Sequence, residues 1–154
     1  MYRQYGFTLL ELLITLAVMT VLGVIAVTSY SNYTLRANRV DAKAALVRLA
    51  QQEERYYSVK RQYLNEADDK QALRKLGFPT KKSEKGYYDL SIEKHPEVGD
   101  KGYLLKAVPV KNERQSRDTQ CPGFTLDHTG KEWIVDIEEG DKDAEKKVAR
   151  CWNR

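Results

Sequence analysis

The chain is short of the residues and patterns on which most catalysis is built. It has two cysteines, two histidines and two methionines. It holds no nucleophile elbow, P-loop or glycine-rich dinucleotide turn, which removes the common hydrolase, nucleotide-binding and dehydrogenase readings. Neither Cys121 nor Cys151 sits in C-x-x-C spacing, and His95 and His128 lack ligand spacing along the chain, so neither zinc nor another metal or cofactor is expected. His128 reads as an exposed polar residue at a hairpin turn. Trp133 and Trp152 read as core tryptophans. The carboxylate pairs Asp68-Asp69 and Glu138-Glu139 fall in charged loops and read as solvated. No internal repeat, low-complexity tract or block of like charges is present. The net charge of +4 is too small and too dispersed to argue for a nucleic-acid face by itself. There is no proline from Phe7 to Gln71, so nothing forces a helix to break there.

What the chain does have is an apolar stretch from Phe7 to Val27 carrying one charge, Glu11. About 20 helical residues cross a bilayer core, so the stretch is long enough to span. A carboxylate inside it costs on the order of 2.5–3.5 kcal/mol on insertion scales, which marks Glu11 as functional. The polar segment before it carries Arg3 and ends at Gly6. A secretory signal places its apolar region ahead of the cut. A cut after Gly6 would instead keep the apolar region and leave it at the new N-terminus.

Gly6-Phe7-Thr8-Leu9-Leu10-Glu11 resembles the class III signal of type IV pilins and pseudopilins. The resemblance implies a prepilin peptidase that cuts after Gly6 and N-methylates Phe7. It also implies that Glu11 meets the Phe7 amine of a neighbouring subunit during assembly, a pair that sets register more than it adds stability. Further resemblance, to PilE-type minor pilins, is carried by Asn38–Leu46, Gln52–Tyr57, Arg117–Cys121 and Cys151-Trp152. Two departures stand out: Thr20 where many members have glycine, and Thr28 where many have proline. Gly23 is the one helix-weakening residue left in the span.

Two cysteines in an exported domain most simply form one disulfide, and the resemblance implies that Cys121 and Cys151 bound a C-terminal loop. Counted alone, Lys and Arg near the span favour the wrong orientation, since Arg36, Arg39 and Lys43 outnumber Arg3. The short leader and the cysteines place the C-terminal domain outside the inner membrane, in the periplasm before assembly.

The expected organisation is a leader at 1–6, a membrane and assembly half-helix at 7–30, and a soluble head at 31–154. Helical character continues past the span to about Val59, a rod of about 80 Å at 1.5 Å per residue. Tyr33, Ala37, Val40, Ala44 and Val47, spaced by four and three, are expected to form its buried stripe, widened by Leu46, Leu49 and Ala50. Alternation at Tyr88, Leu90 and Ile92, a turn at Pro96 and Gly99-Asp100, a return strand from Tyr103 to Val110, and a hairpin from Phe124 to Val135 predict four antiparallel strands. The fold class is therefore α+β, the type IV pilin fold. Asp136 to Ala149 is expected to be a charged loop.

The preferred function is a non-enzymatic structural subunit, a minor pilin serving pilus biogenesis, twitching motility and adhesion, with other pilins as partners. A type II secretion pseudopilin is one alternative; such proteins often use calcium where this chain has Cys121 and Cys151. A DNA-binding minor pilin for DNA uptake is the other. Its support is Lys142, Lys146, Lys147, Arg150 and Arg154, near Trp152 and diluted by Asp141, Asp143 and Glu145, a cluster for which a solvated face suffices.

Overall fold

The computed structural model describes residues 7–64, 69–137, 141 and 143–153. Helix α1 spans Leu9–Lys60, α2 Asp69–Lys75 and α3 Ala144–Trp152. Strands β1 (Tyr88–His95), β2 (Gly99–Pro109), β3 (Phe124–Asp127) and β4 (Glu132–Ile134) form one antiparallel sheet in the order β1-β2-β3-β4. A short 3-10 helix, Arg114–Arg117, lies between β2 and β3. Two compact units divide the chain after Arg36.

In the first unit, the apolar side chains from Phe7 to Val27 find no cover: Phe7 is 85% exposed and Val27 72%. The hydroxyls of Thr15, Thr20 and Thr34 donate to the carbonyls of Leu12, Leu16 and Tyr30, so these polar groups are satisfied within the helix. That is the arrangement an apolar surround requires.

In the second unit, Ala42, Leu46 and Leu49 of α1 pack into one core with Tyr88, Leu90 and Ile92 of β1, Leu105 and Ala107 of β2, Phe124 and Leu126 of β3, and Ile134 of β4. The register sets Leu105 opposite both Ile92 and Leu126. Leu73, Leu76 and Phe78 close one side, and Trp152 stacks edge-on against Phe124 at 5.5 Å. The Trp152 indole donates to the Trp133 carbonyl and the Trp133 indole to the Ile137 carbonyl. Both tryptophans thus serve the packing of the domain, Trp152 buried and Trp133 half-buried.

Of the expected stripe on α1, Leu46 and Leu49 are buried and Ala50 is half-buried against the core, but its other members, Tyr33 included, are exposed. Ala37, Val40, Ala44 and Val47 are exposed, Val40 at 52% and Val47 at 46%. The buried face carries Arg39, Asp41, Ala42, Ala45, Leu46, Leu49 and Glu53. Spacing detects two apolar faces on this helix; the one that enters the core carries the larger side chains Leu46 and Leu49, and its polar members make at least one contact each. Arg39 finds Asp118, Asp41 accepts from the Lys85 N–H, and Glu53 accepts from the Leu64 N–H.

Two further expectations are corrected. The segment expected to be a charged loop becomes helical from Ala144, because Ala144, Cys151 and Trp152 bury one face while charged residues occupy the other. The return strand starts at Gly99 rather than Tyr103, with a register shift between Lys94 and His95. Glu138-Glu139 and Asp68 lie outside the described residues.

Candidate functional site

The N-terminus of α1 carries the first site. Leu9 opens the helix, so Thr8 is its N-cap and Glu11 is the third helical residue. The Thr8 hydroxyl accepts the Glu11 N–H at 3.2 Å, satisfying a donor the helix itself leaves orphaned. The motif Thr8-Leu9-Leu10-Glu11 is therefore also a helix-start signature of the T-x-x-E kind. Sequence reasoning read Glu11 only as an intramembrane charge and missed this second identity, although the spacing carries it. An acidic residue in the first turn also complements the positive end of the helix dipole. Gly6 lies outside the described residues, while Phe7 stands exposed immediately before the cap.

The second site is the edge of the head closed by the disulfide. Cys121 and Cys151 are bonded, with Cα atoms 5.8 Å apart. The bond ties the segment following Arg114–Arg117 to the C-terminal turn of α3. Exposed cations lie on both segments that the bond joins: Lys111, Arg114 and Arg117 on the one leading to Cys121, and Lys146, Lys147 and Arg150 on α3. Lys142 and Arg154 lie outside the described residues. Lys147 pairs with Asp141 at 2.7 Å and Lys146 with Asp143 at 3.4 Å. The Lys147 ammonium holds the Asp141 carboxyl below its usual range. Such exposed pairs are worth little and give way readily to another anion. Lys111, Arg114 and Arg117 carry no weight in a reading that looks only near the C-terminus, and the cysteine pairing is the signal that could have found them.

A third grouping joins residues that spacing keeps apart. His95 ends β1, Asp127 ends β3 and His128 follows it in the β3–β4 turn. The two imidazoles meet edge-on, centroids 4.8 Å apart. Burial pushes the Asp127 carboxyl up, but hydrogen bonds from the Thr129 hydroxyl and from the Lys131 and Thr129 N–H groups outweigh it and hold the group below its ordinary value.

An N-terminal helix with a bare apolar half, a four-stranded antiparallel sheet and a C-terminal disulfide together define a type IV pilin. Residues 1–27 match the family model of the prokaryotic N-terminal methylation motif. Residues 28–125 match that of the type IV minor pilin ComP, DNA uptake sequence receptor, and the chain belongs to this family. Among solved structures, it is similar to a type IV pilin from Shewanella oneidensis, with 28% identity over 67% of this chain and 94% of that one and a TM-score of 0.45. Comparison with curated proteins finds no match.

Proposed function

We propose that this chain is a minor subunit of a type IV pilus whose head binds DNA for uptake. The observation that carries the reading is the family match, which runs through the head from residue 28 to 125 and describes a DNA uptake sequence receptor. Exposed cations agree with it: Lys111, Arg114 and Arg117 lie inside the matched region, and Arg150 directly precedes Cys151, the partner of Cys121. This moves DNA binding ahead of the purely structural reading preferred from the sequence. Phosphate contacts from such cations make affinity fall steeply with salt.

The remaining parts of the proposal follow the N-terminal site. Residues 1–6 are a leader removed by a prepilin peptidase, Phe7 is methylated, and residues 7–30 hold the subunit in the inner membrane with the head, 31–154, in the periplasm. Assembly with other pilins then replaces lipid around Leu9, Leu10, Leu13 and Leu16. The exposed stripe Ala37, Val40, Ala44 and Val47 offers the head a second apolar contact along the same helix. Twitching motility and adhesion are the activities such a filament supports.

The test is fluorescence anisotropy of full-length protein in detergent micelles with labelled duplex DNA across a salt series. Binding should weaken as salt rises, and Arg114→Glu with Arg117→Glu should reduce affinity at least about tenfold at fixed salt. No measurable binding at low salt, or equal binding by the double variant, removes the assignment.

A further inference from the structure

The cluster at the ends of β1 and β3 is not used by the function proposed above. One ring nitrogen of His95, one of His128 and one Asp127 oxygen all lie within 4.8 Å of one another. The His95 and Asp127 side chains are nearly buried, at 11% and 10% exposure. Asp127 Oδ1 is engaged three times, by the Thr129 N–H and hydroxyl and the Lys131 N–H. These bonds fix the carboxylate and leave Oδ2 facing His95 Nε2 at 3.6 Å. His128 Nδ1 is buried and has no hydrogen-bond partner among the described residues. Its ring can occupy this place because residue 102 is glycine: a Cβ there would stand 2.7 Å from His128 Nδ1.

A separation of 3.6 Å is too long for a hydrogen bond. It is close to the spacing of two ligands on one ion, since donors about 2.1 Å from a tetrahedral metal lie about 3.4 Å apart. Two imidazoles and a carboxylate are a borderline donor set, suited to zinc and its neighbours and not to calcium or magnesium. We propose that His95, Asp127 and His128 form a three-ligand site for a divalent transition-metal ion of the zinc type. The fourth position faces a cavity of about 440 Å³ whose lining includes Glu97, Thr125 and Trp133, leaving room for water or the Glu97 carboxylate.

Three features oppose the ion. The donor atoms are spread over up to 4.8 Å, wider than the roughly 4.2 Å that two bonds of about 2.1 Å can span, so a ring must shift inward on binding. The Glu97 N–H now donates to His95 Nδ1 at 3.2 Å, and coordination through Nε2 requires a proton on Nδ1, which releases that bond. Glu97 is exposed, so water takes over its N–H. Lys131 lines the same cavity, but its ammonium is drawn over the Trp133 ring at 5.4 Å from the centroid. When bound, the ion ties the β1–β2 turn to the β3–β4 turn, a link absent from the backbone pairing because β1 and β3 are not neighbours in the sheet.

Tag-free full-length protein in detergent micelles, stripped with a chelator, should be titrated with zinc chloride by calorimetry. Cobalt chloride followed by visible absorption supplies an independent signature. One ion per chain, ligand-field bands from cobalt and a thermal midpoint that rises with zinc are expected. His95→Gln and His128→Asn keep size and polarity while removing the ligand geometry. Each should lower zinc affinity at least about tenfold, with an unchanged midpoint in the absence of metal. If a substitution unfolds the head, paramagnetic broadening of the His95 and His128 ring resonances by substoichiometric copper in the wild type gives the same answer. Absence of zinc binding at millimolar concentration, or undiminished binding by both histidine variants, overturns the site.

Discussion

Arg39 of α1 and Asp118, just past the short 3-10 helix, form a buried bidentate ion pair, Nε to Oδ2 at 2.7 Å and Nη2 to Oδ1 at 2.8 Å. Gln115 extends it, its amide donating to the Tyr88 hydroxyl at 2.8 Å and to Asp118 Oδ2 at 3.3 Å. The pair couples the helix to the segment that leads into Cys121. The fork geometry and low exposure make it specific rather than merely attractive.

Removing one partner leaves the other charged and buried. Arg39→Met or Asp118→Leu alone should each cost about 3–5 kcal/mol, read from chemical denaturation of the protein in micelles. The double variant should recover most of that loss. Additive losses in the double variant would mean that the two residues do not act as a pair.

Glu53 supplies a pH dependence. It is fully buried, its Oε2 accepts the Leu64 N–H, and Oε1 has no partner among the described residues. Burial pushes its carboxyl up to about 7, against the Leu64 N–H, which lowers it. The folded state therefore binds the proton more tightly than the unfolded one. The group's penalty is absent below its unfolded value of 4.5, grows as pH rises and is complete above about 7. It amounts to roughly 3 kcal/mol. Glu53→Gln should flatten the fall of the thermal midpoint between pH 5 and pH 8 and raise the midpoint at pH 8. An unchanged slope contradicts the burial argument.

The disulfide should stabilise the head mainly by restricting its unfolded chain. Cys121→Ser should lower stability by about 3–4 kcal/mol. The same variant should free α3, whose buried face rests on Cys151 and Trp152. Hydrogen exchange of residues 144–152, faster in the variant than elsewhere in the head, is the measurement; uniform exchange throughout would deny the local effect.

The proposed leader assignment requires Gly6 ahead of the cut. Gly6→Val should block cleavage, and mass analysis of sheared wild-type pili should find N-methyl-Phe7 as the first residue. An intact Met1 on that protein refutes the leader assignment.

Glu11 has two identities that a substitution can separate. The Thr8 hydroxyl accepts the Glu11 backbone N–H, which any residue supplies, so Glu11→Ala keeps this part of the helix cap. It also lightens the insertion cost. Cleavage and insertion should be normal while incorporation into pili falls, with Glu11→Gln the milder of the two. Wild-type piliation in Glu11→Ala cells would assign the carboxylate some other task.

Local pattern in the sequence determined the elements whose signals are short-range. Proline-free apolarity makes α1, alternation makes β1, and turn residues after Asp127 make the second hairpin. The processing motif and the lone pair of cysteines were legible for the same reason. Tertiary structure alone decided which face of α1 enters the core. Both faces carry apolar residues at helical spacing, and the buried one sets Leu46 and Leu49 against the sheet while bringing Arg39 to Asp118 and Asp41 to the Lys85 N–H across long stretches of chain. It also decided that the segment before Cys151 is helical, since Ala144, Cys151 and Trp152 gain from burial only when the sheet is there to receive them. The His95–Asp127–His128 cluster belongs to the same class. Its members become neighbours only through the positions of two strands in one sheet, and spacing along a chain carries no record of that.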